Sequence, residues 1–130
     1  MRFTKMHGLG NDYIYLDGVS QDLAEHDLPR LARVLSDRHF GVGGDGIIII
    51  LPSDVADFRM RIFNPDGSEA EMCGNGVRCF AKYVYDHGLT GKTDIEIETR
   101  AGIIRPRLVI GESGRAEKAR VDMGSPRLAR

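Results

Sequence analysis

Apolar residues recur along this chain at two spacings, and the switch between them marks out its elements. Alternation with a period of two runs through Arg2–Met6 and resumes at Tyr13–Leu16. The polar turn HGLGND lies between them, and Asp17-Gly18 closes the pair. That pattern reads as strand, turn, strand. Leu28, Leu31, Ala32 and Leu35 are then three and four apart, which predicts a helix from Asp27 to about Asp37 with Pro29 in its first turn. Ile47–Leu51 is a continuous apolar run and reads as a buried strand. Ala56–Phe63 alternates again, with Phe58, Met60 and Ile62 on one face and Arg59 and Arg61 on the other. Asn64-Pro65-Asp66-Gly67 is a turn, and Ser68–Met72 is a short strand with Glu69 and Glu71 expected at the surface.

Helical spacing returns at Val77, Phe80, Ala81, Val84 and Tyr85. This second helix starts near Gly74–Gly76 and stops at Gly88, with Arg78, Lys82 and Asp86 pointing away from its apolar face. Beyond a loop at Gly91–Thr93, Ile95, Ile97 and Thr99 form one face of a strand. Ile103–Ile110 reads as a further strand in which Pro106 marks an edge or a bulge. Gly111–Gly114 is a hairpin turn and Lys118–Met123 the returning strand. Many short strands with one long and one short helix predict an α+β fold, a curved mixed or antiparallel sheet wrapped around the central helix.

Composition narrows the function classes. The chain has 130 residues, enough for one domain with a real core, and a formal net charge of −1, which gives no nucleic-acid surface. No apolar run is long enough to span a bilayer, and the N-terminal MRFTKMHGLGND has no apolar signal region, so a cytoplasmic protein is expected. Cys73 and Cys79 have neither a zinc-site spacing nor a disulfide framework, and no lysine stands in a context that marks a cofactor aldehyde site. No metal or cofactor is expected.

The candidate chemistry lies in Arg61–Gly88, RIFNPDGSEAEMCGNGVRCFAKYVYDHG. Cys73 stands just before the unpaired N–H groups of a helix start, where negative charge is favoured and a thiolate forms more readily. Such a thiol can serve as nucleophile, metal ligand, redox group or proton-transfer group. The bland alternative is a small buried hydrophobe. Cys79, in the helix body beside Phe80, reads as packing. In HGLGND, the glycines allow close backbone approach and Asn11 can donate and accept, although ordinary turn chemistry explains the same residues. FGVGGDG lies between a helix and a strand and lacks the Gly-Lys-Ser/Thr ending of a nucleotide loop. Within it, Asp45 either orients neighbouring backbone or caps a turn. Asn64, at a strand end leading toward Cys73, is placed to offer an amide.

Four segments together resemble the diaminopimelate epimerase family, the cofactor-independent isomerases of bacterial and plant lysine biosynthesis. They are FTKMHGLGNDY (Phe3–Tyr13), DRHFGVGGDG (Asp37–Gly46), RIFNPDGSEAEMCGNGVRCFAKYV (Arg61–Val84) and ETRAG (Glu98–Gly102). The ending VDMGSP at Val121–Pro126 is similar as well. The resemblance implies two alike domains, each a sheet curled on a central helix, with the active site between them. It makes Cys73 one of two catalytic cysteines that exchange a proton at an α-carbon. Gly74 and Asn75 would hold the substrate carboxylate through backbone N–H groups, and Asn11 and Asn64 would touch the amino-acid substrate through their side chains. Some members carry glutamine where this chain has Gly46.

The resemblance also implies a partner. A second cysteine motif is missing, and Cys79 lies on the same helix as Cys73, so the chain reads as the N-terminal half of the enzyme, inactive without the C-terminal domain. The strand that domain would return leaves a sheet edge that a second copy could pair with, as a homodimer would. The alternatives are a cofactor-independent racemase of the proline racemase type and a non-catalytic small-molecule binding domain.

Overall fold

Alternation along the strands sends side chains to opposite faces of one sheet, and each face is covered by a different helix. The computed structural model describes residues 3–8, 11–19, 21, 23, 27–39, 41, 43–71 and 74–120. Strand β1 (Phe3–Gly8) pairs antiparallel with β2 (Asn11–Asp17), in register from Phe3 opposite Leu16 to Gly8 opposite Asn11. Both strands thus run further into HGLGND than alternation predicts. Ladder hydrogen bonds depend on backbone, so they continue where the side chains turn polar.

Helix α1 (Leu28–Ser36) is capped by Asp27, whose carboxylate accepts from the Arg30 N–H at 3.2 Å. Its predicted face, Leu28, Leu31, Ala32 and Leu35, packs with Ile14, Leu16, Ile47, Ile49 and Phe63. Strand β3 (Ile47–Leu51) runs parallel to β2, and β4 (Phe58–Phe63) runs antiparallel to β3. Strand β5 (Glu69–Ala70) pairs with the last residues of β4. Strand β6 (Ile97–Thr99) pairs in parallel with its first residues, and β7 (Gly102–Ile104) completes the edge beyond β6. The sheet is therefore mixed, in the order β1-β2-β3-β4-β6-β7 with β5 beside β4.

Helix α2 (Gly74–Asp86) covers the other face. Val77, Phe80, Ala81, Tyr83 and Val84 are buried among Tyr15, Ile48, Ile50, Phe58, Met60 and Ile62. Successive isoleucines of β3 thus serve different helices, which is why that strand is apolar without interruption. Tyr83 extends the helix face beyond its predicted set, stacking on Tyr15 with ring centroids 5.4 Å apart. Cys79 is half-buried and packs against this core. Two of the polar positions expected to face away do not. Arg78 is half-buried with its Nε enclosed, and the Asp86 carboxylate accepts from the Ala116 N–H at 2.8 Å.

Asp86 thereby ties α2 to a hairpin formed by β8 (Arg107–Ile110) and β9 (Ala116–Arg120), which contributes Leu108 and Ala116 to the same core. The segment Ile103–Ile110 is two strands and not one. It breaks at Arg105-Pro106, where proline has no N–H to continue a ladder and instead offers its carbonyl to the Ile95 N–H at 3.1 Å. The rest of the expected Lys118–Met123 strand, beyond Arg120, lies outside the described residues.

Glu69 departs from the solvent-facing role expected of it. It forms a two-point pair with Arg61 across β4 and β5, Nε–Oε2 at 3.0 Å and Nη2–Oε1 at 2.9 Å, and both side chains are largely buried. Arg61 also lies over the Phe63 ring, 5.0 Å from its centroid. The Arg61 hydrogen bond holds the Glu69 carboxyl below its ordinary range, against the opposing effect of burial. A lowered carboxylate pKa adds stability above the unfolded-state value, and that stability is lost as pH falls through the folded value. Thermal unfolding from pH 7 to pH 3 should therefore show Glu69→Gln less stable than the parent down to about pH 4.3, with the gap closing below that.

The end of α2 supplies a second test. Gly88 has φ +75, the Leu89 N–H donates to Val84 at 2.9 Å and the Gly88 N–H donates to Tyr85 at 3.1 Å, which is the paired closure of a Schellman cap. A Cβ at Gly88 would meet nothing within 4 Å, so only the left-handed backbone opposes a side chain there. Gly88→Ala should cost about 1 kcal/mol in urea unfolding, with an unchanged m-value.

Candidate active site

Strand directions bring four segments to one end of the sheet. Strand β2 begins at Asn11. Because β3 runs parallel to β2, the loop before β3 lies at that same end, and because β4 is antiparallel to β3, Phe63 sits opposite Ile47. Asn64 therefore leaves β4 beside that loop, and β5 starts there as well, with Glu69 opposite Phe63. Helix α2 runs away from this end. Tyr83 of its last turn and His87 just beyond it line a cavity with Phe3, Thr4 and Asp17, the opposite end of the β1–β2 hairpin. The first turn of α2 holds Gly74 and Asn75. Cys73 itself lies outside the described residues.

The start of α2 is anchored from below. The Tyr15 hydroxyl, buried under the helix, donates to the Gly76 carbonyl at 3.2 Å. A tyrosine flanked by Ile14 and Leu16 needs such a partner when buried, and that need was the available signal for it in the sequence. By helix geometry the first-turn N–H groups have no partner within the helix. The first turn of α2 contains no acidic residue, so no carboxylate of its own competes for them there. The half-buried Arg78 adds positive charge one turn further on. This end of the helix is electrostatically suited to an anion.

Asn64 is held by its own turn. Its N–H donates to the Ser68 carbonyl at 2.7 Å, and its Nδ2 donates to Ser68 Oγ at 3.0 Å. Ser68 Oγ in turn donates to Asp66 Oδ1 at 2.6 Å, which commits the hydroxyl proton and fixes which way the Asn64 amide faces. The Ser68 hydroxyl, joined by the Ser68 N–H, also keeps the Asp66 carboxyl below its ordinary range. The Asn64 carbonyl oxygen, Oδ1, has no partner among the described residues.

Asp45 resolves the choice left by its sequence. It does not merely cap a local turn. Its Oδ2 accepts from the Asp12 N–H at 2.6 Å, and its own N–H donates to the Asp12 carbonyl at 2.6 Å. Arg38 approaches the same carboxylate at 3.3 Å and the Asp12 carboxylate at 3.8 Å. Next to it, Gly46 has φ +140, and a Cβ there would collide with the Phe63 carbonyl oxygen. A side chain at position 46 requires a different local backbone, so this position is here a point of close backbone contact.

The family model described as diaminopimelate epimerase matches residues 3–129. The chain is 56% identical over 130 residues to the diaminopimelate epimerase of Moorella thermoacetica, covering 100% of this chain and 46% of that protein. It is 60% identical over 126 residues to that of Agathobacter rectalis, covering 97% of this chain and 43% of that protein. The chain thus spans a little under half the length of these relatives. Among solved structures, a probable proline racemase from Agrobacterium radiobacter K84 with bound carbonate superposes with a TM-score of 0.75. Its identity to the chain is 21%, and the match covers 93% of this chain and 41% of that one. That likeness extends to the fold. With a family model matched along nearly its whole length, the chain belongs to the diaminopimelate epimerase family.

Proposed function

We propose that this chain is one catalytic half of a diaminopimelate epimerase, acting in lysine biosynthesis in the cytoplasm, and that Cys73 is one of its two proton-transfer residues. The reading rests above all on one observation: the family match runs through Cys73 in the sequence and on through Gly74 and Asn75, which open helix α2. On this reading the thiolate of Cys73 takes the α-proton from one face of the substrate, and the C–H electron pair passes into the α-carboxylate. A thiol on the second half delivers a proton to the opposite face, and the two sulfurs exchange roles when the reaction runs backward. The N–H groups at Gly74 and Asn75 hold the carboxylate and stabilise the charge it gains. Asn11 and Asn64 orient the substrate, Asn64 through an oxygen that its turn leaves to accept. The chemistry needs no metal or organic cofactor.

The test is inversion and solvent exchange at the α-carbon. The complete product of the gene encoding this chain, incubated with LL-diaminopimelate in deuterated water, should form the meso isomer and take up deuterium at the inverted centre. Cys73→Ala should reduce both by roughly 100- to 10,000-fold, the usual contribution of a positioned base. The 130-residue chain alone should give neither signal. A folded Cys73→Ala protein with undiminished turnover would remove Cys73 from the chemistry. Turnover of free proline in place of diaminopimelate would point to the racemase reading.

A further inference from the structure

We infer that Asp45 is a positioning residue for the amino-acid site, fixing the backbone at Asn11–Asp12 relative to the strand end that carries Asn64. The inference builds on the reading of Asn11 and Asn64 as substrate-binding residues. Three observations carry it.

First, Asp45 grips Asp12 twice, by its side chain and by its own N–H, across 33 residues of sequence. Second, these bonds extend the β2–β3 pairing past the start of β3. The Ile14 N–H donates to the Gly46 carbonyl at 3.1 Å, so the loop continues the sheet up to the residue after Asn11. Third, the other side of the loop lies against β4. Gly46 is in close contact with the Phe63 carbonyl, and Asn64 follows directly. Residues 45 and 46 are thus a spacer between the two asparagines, bonded on one side and in steric contact on the other. The loop is also anchored behind. The Gly43 N–H donates to Leu35 at 2.9 Å and the Gly44 N–H to Ser36 at 3.2 Å, the last turn of α1. Its position is therefore set by a packed helix.

The contact with Arg38 is secondary. Arg38 is more than half exposed, and its approach to Asp45 is longer than the Asp45–Asp12 bonds. What matters is an acceptor at the position of Oδ2, and an asparagine carbonyl can supply that.

The test uses the complete gene product with LL-diaminopimelate. Asp45→Ala should lower kcat/KM about 10-fold or more, Asp45→Asn should restore it to within about 3-fold, and Arg38→Ala should leave it within about 2-fold. Asp57→Ala is the control for general destabilisation. It removes a carboxylate that accepts the Glu96 N–H at 2.9 Å next to the far end of β4, and it should lower thermal stability without changing kcat/KM. In a double-mutant cycle, Asn11→Ala with Asp45→Ala should be little worse than Asn11→Ala alone, because a residue that acts through another has nothing left to act on. Additive losses, or an Asp45→Ala enzyme with parental kcat/KM, would overturn the inference while leaving the epimerase reading in place. An Asn11→Ala enzyme with full activity would instead remove the substrate-binding role on which it builds.

Discussion

Burial of one face of α2 against the sheet is the constraint on which the rest depends. Val77, Phe80, Ala81 and Val84 are fully buried, and they fill the space above Tyr15, Ile48, Ile50, Met60 and Ile62. Removing side chains of that size from water contributes about 1.5–3 kcal/mol each for the larger ones, so the helix cannot slide or turn without a large loss. A fixed helix has a fixed N-terminus. The Tyr15 hydroxyl on Gly76 and the closure at Gly88 hold the two ends. The anion-favouring start of α2 therefore lies toward the end of the sheet where β2 begins and β4 ends.

The residues around that end are held by a different kind of force. Apolar packing gives way there to turns and loops, and position is set by directed hydrogen bonds. Asp45 holds Asp12, Ser68 holds Asn64, and Glu69 holds Arg61 where β5 leads the chain toward α2. Partly exposed ion pairs typically add only about 0–1 kcal/mol to stability. Their weight here is geometric. Hydrogen bonds with defined donors and acceptors decide where a backbone or an amide sits, and a site for a small charged substrate depends on such placement.

The sequence made the helices and the buried strands legible because each follows from spacing. Leu28, Leu31, Ala32 and Leu35 needed no tertiary information to be placed on one face. Side-chain pairs between distant segments were not legible. Nothing local distinguishes Asp45 as the partner of Asp12, or Glu69 as the partner of Arg61, from acids that only meet water. Pro106 marked an edge or a bulge within one strand and not the break that separates β7 from β8, and whether β8 stays in the sheet or folds over α2 depends on the apolar space that Leu108 and Ala116 enter. Tyr83 stands at the side of the simple helical stripe, and its burial depends on a strand residue, Tyr15, that stacks on it. Of the candidate site residues, Asn64 was placed by the turn beside it, and Gly74 and Asn75 by the helix start they stand in. Asn11 was placed in a turn and proves to open a strand, because backbone pairing ignores the polarity that suggested the turn.

The most direct measurement is the ionisation of Cys73 in the complete gene product without substrate. Its rate of alkylation by iodoacetamide would be followed against pH, with peptide mapping to separate it from Cys79. If the start of α2 is an anion site that a thiolate shares, the midpoint should fall clearly below the value of about 8.5 for a free cysteine. A midpoint at or above that value in the folded protein would contradict the account, because the helix start would then give the sulfur no help in carrying charge.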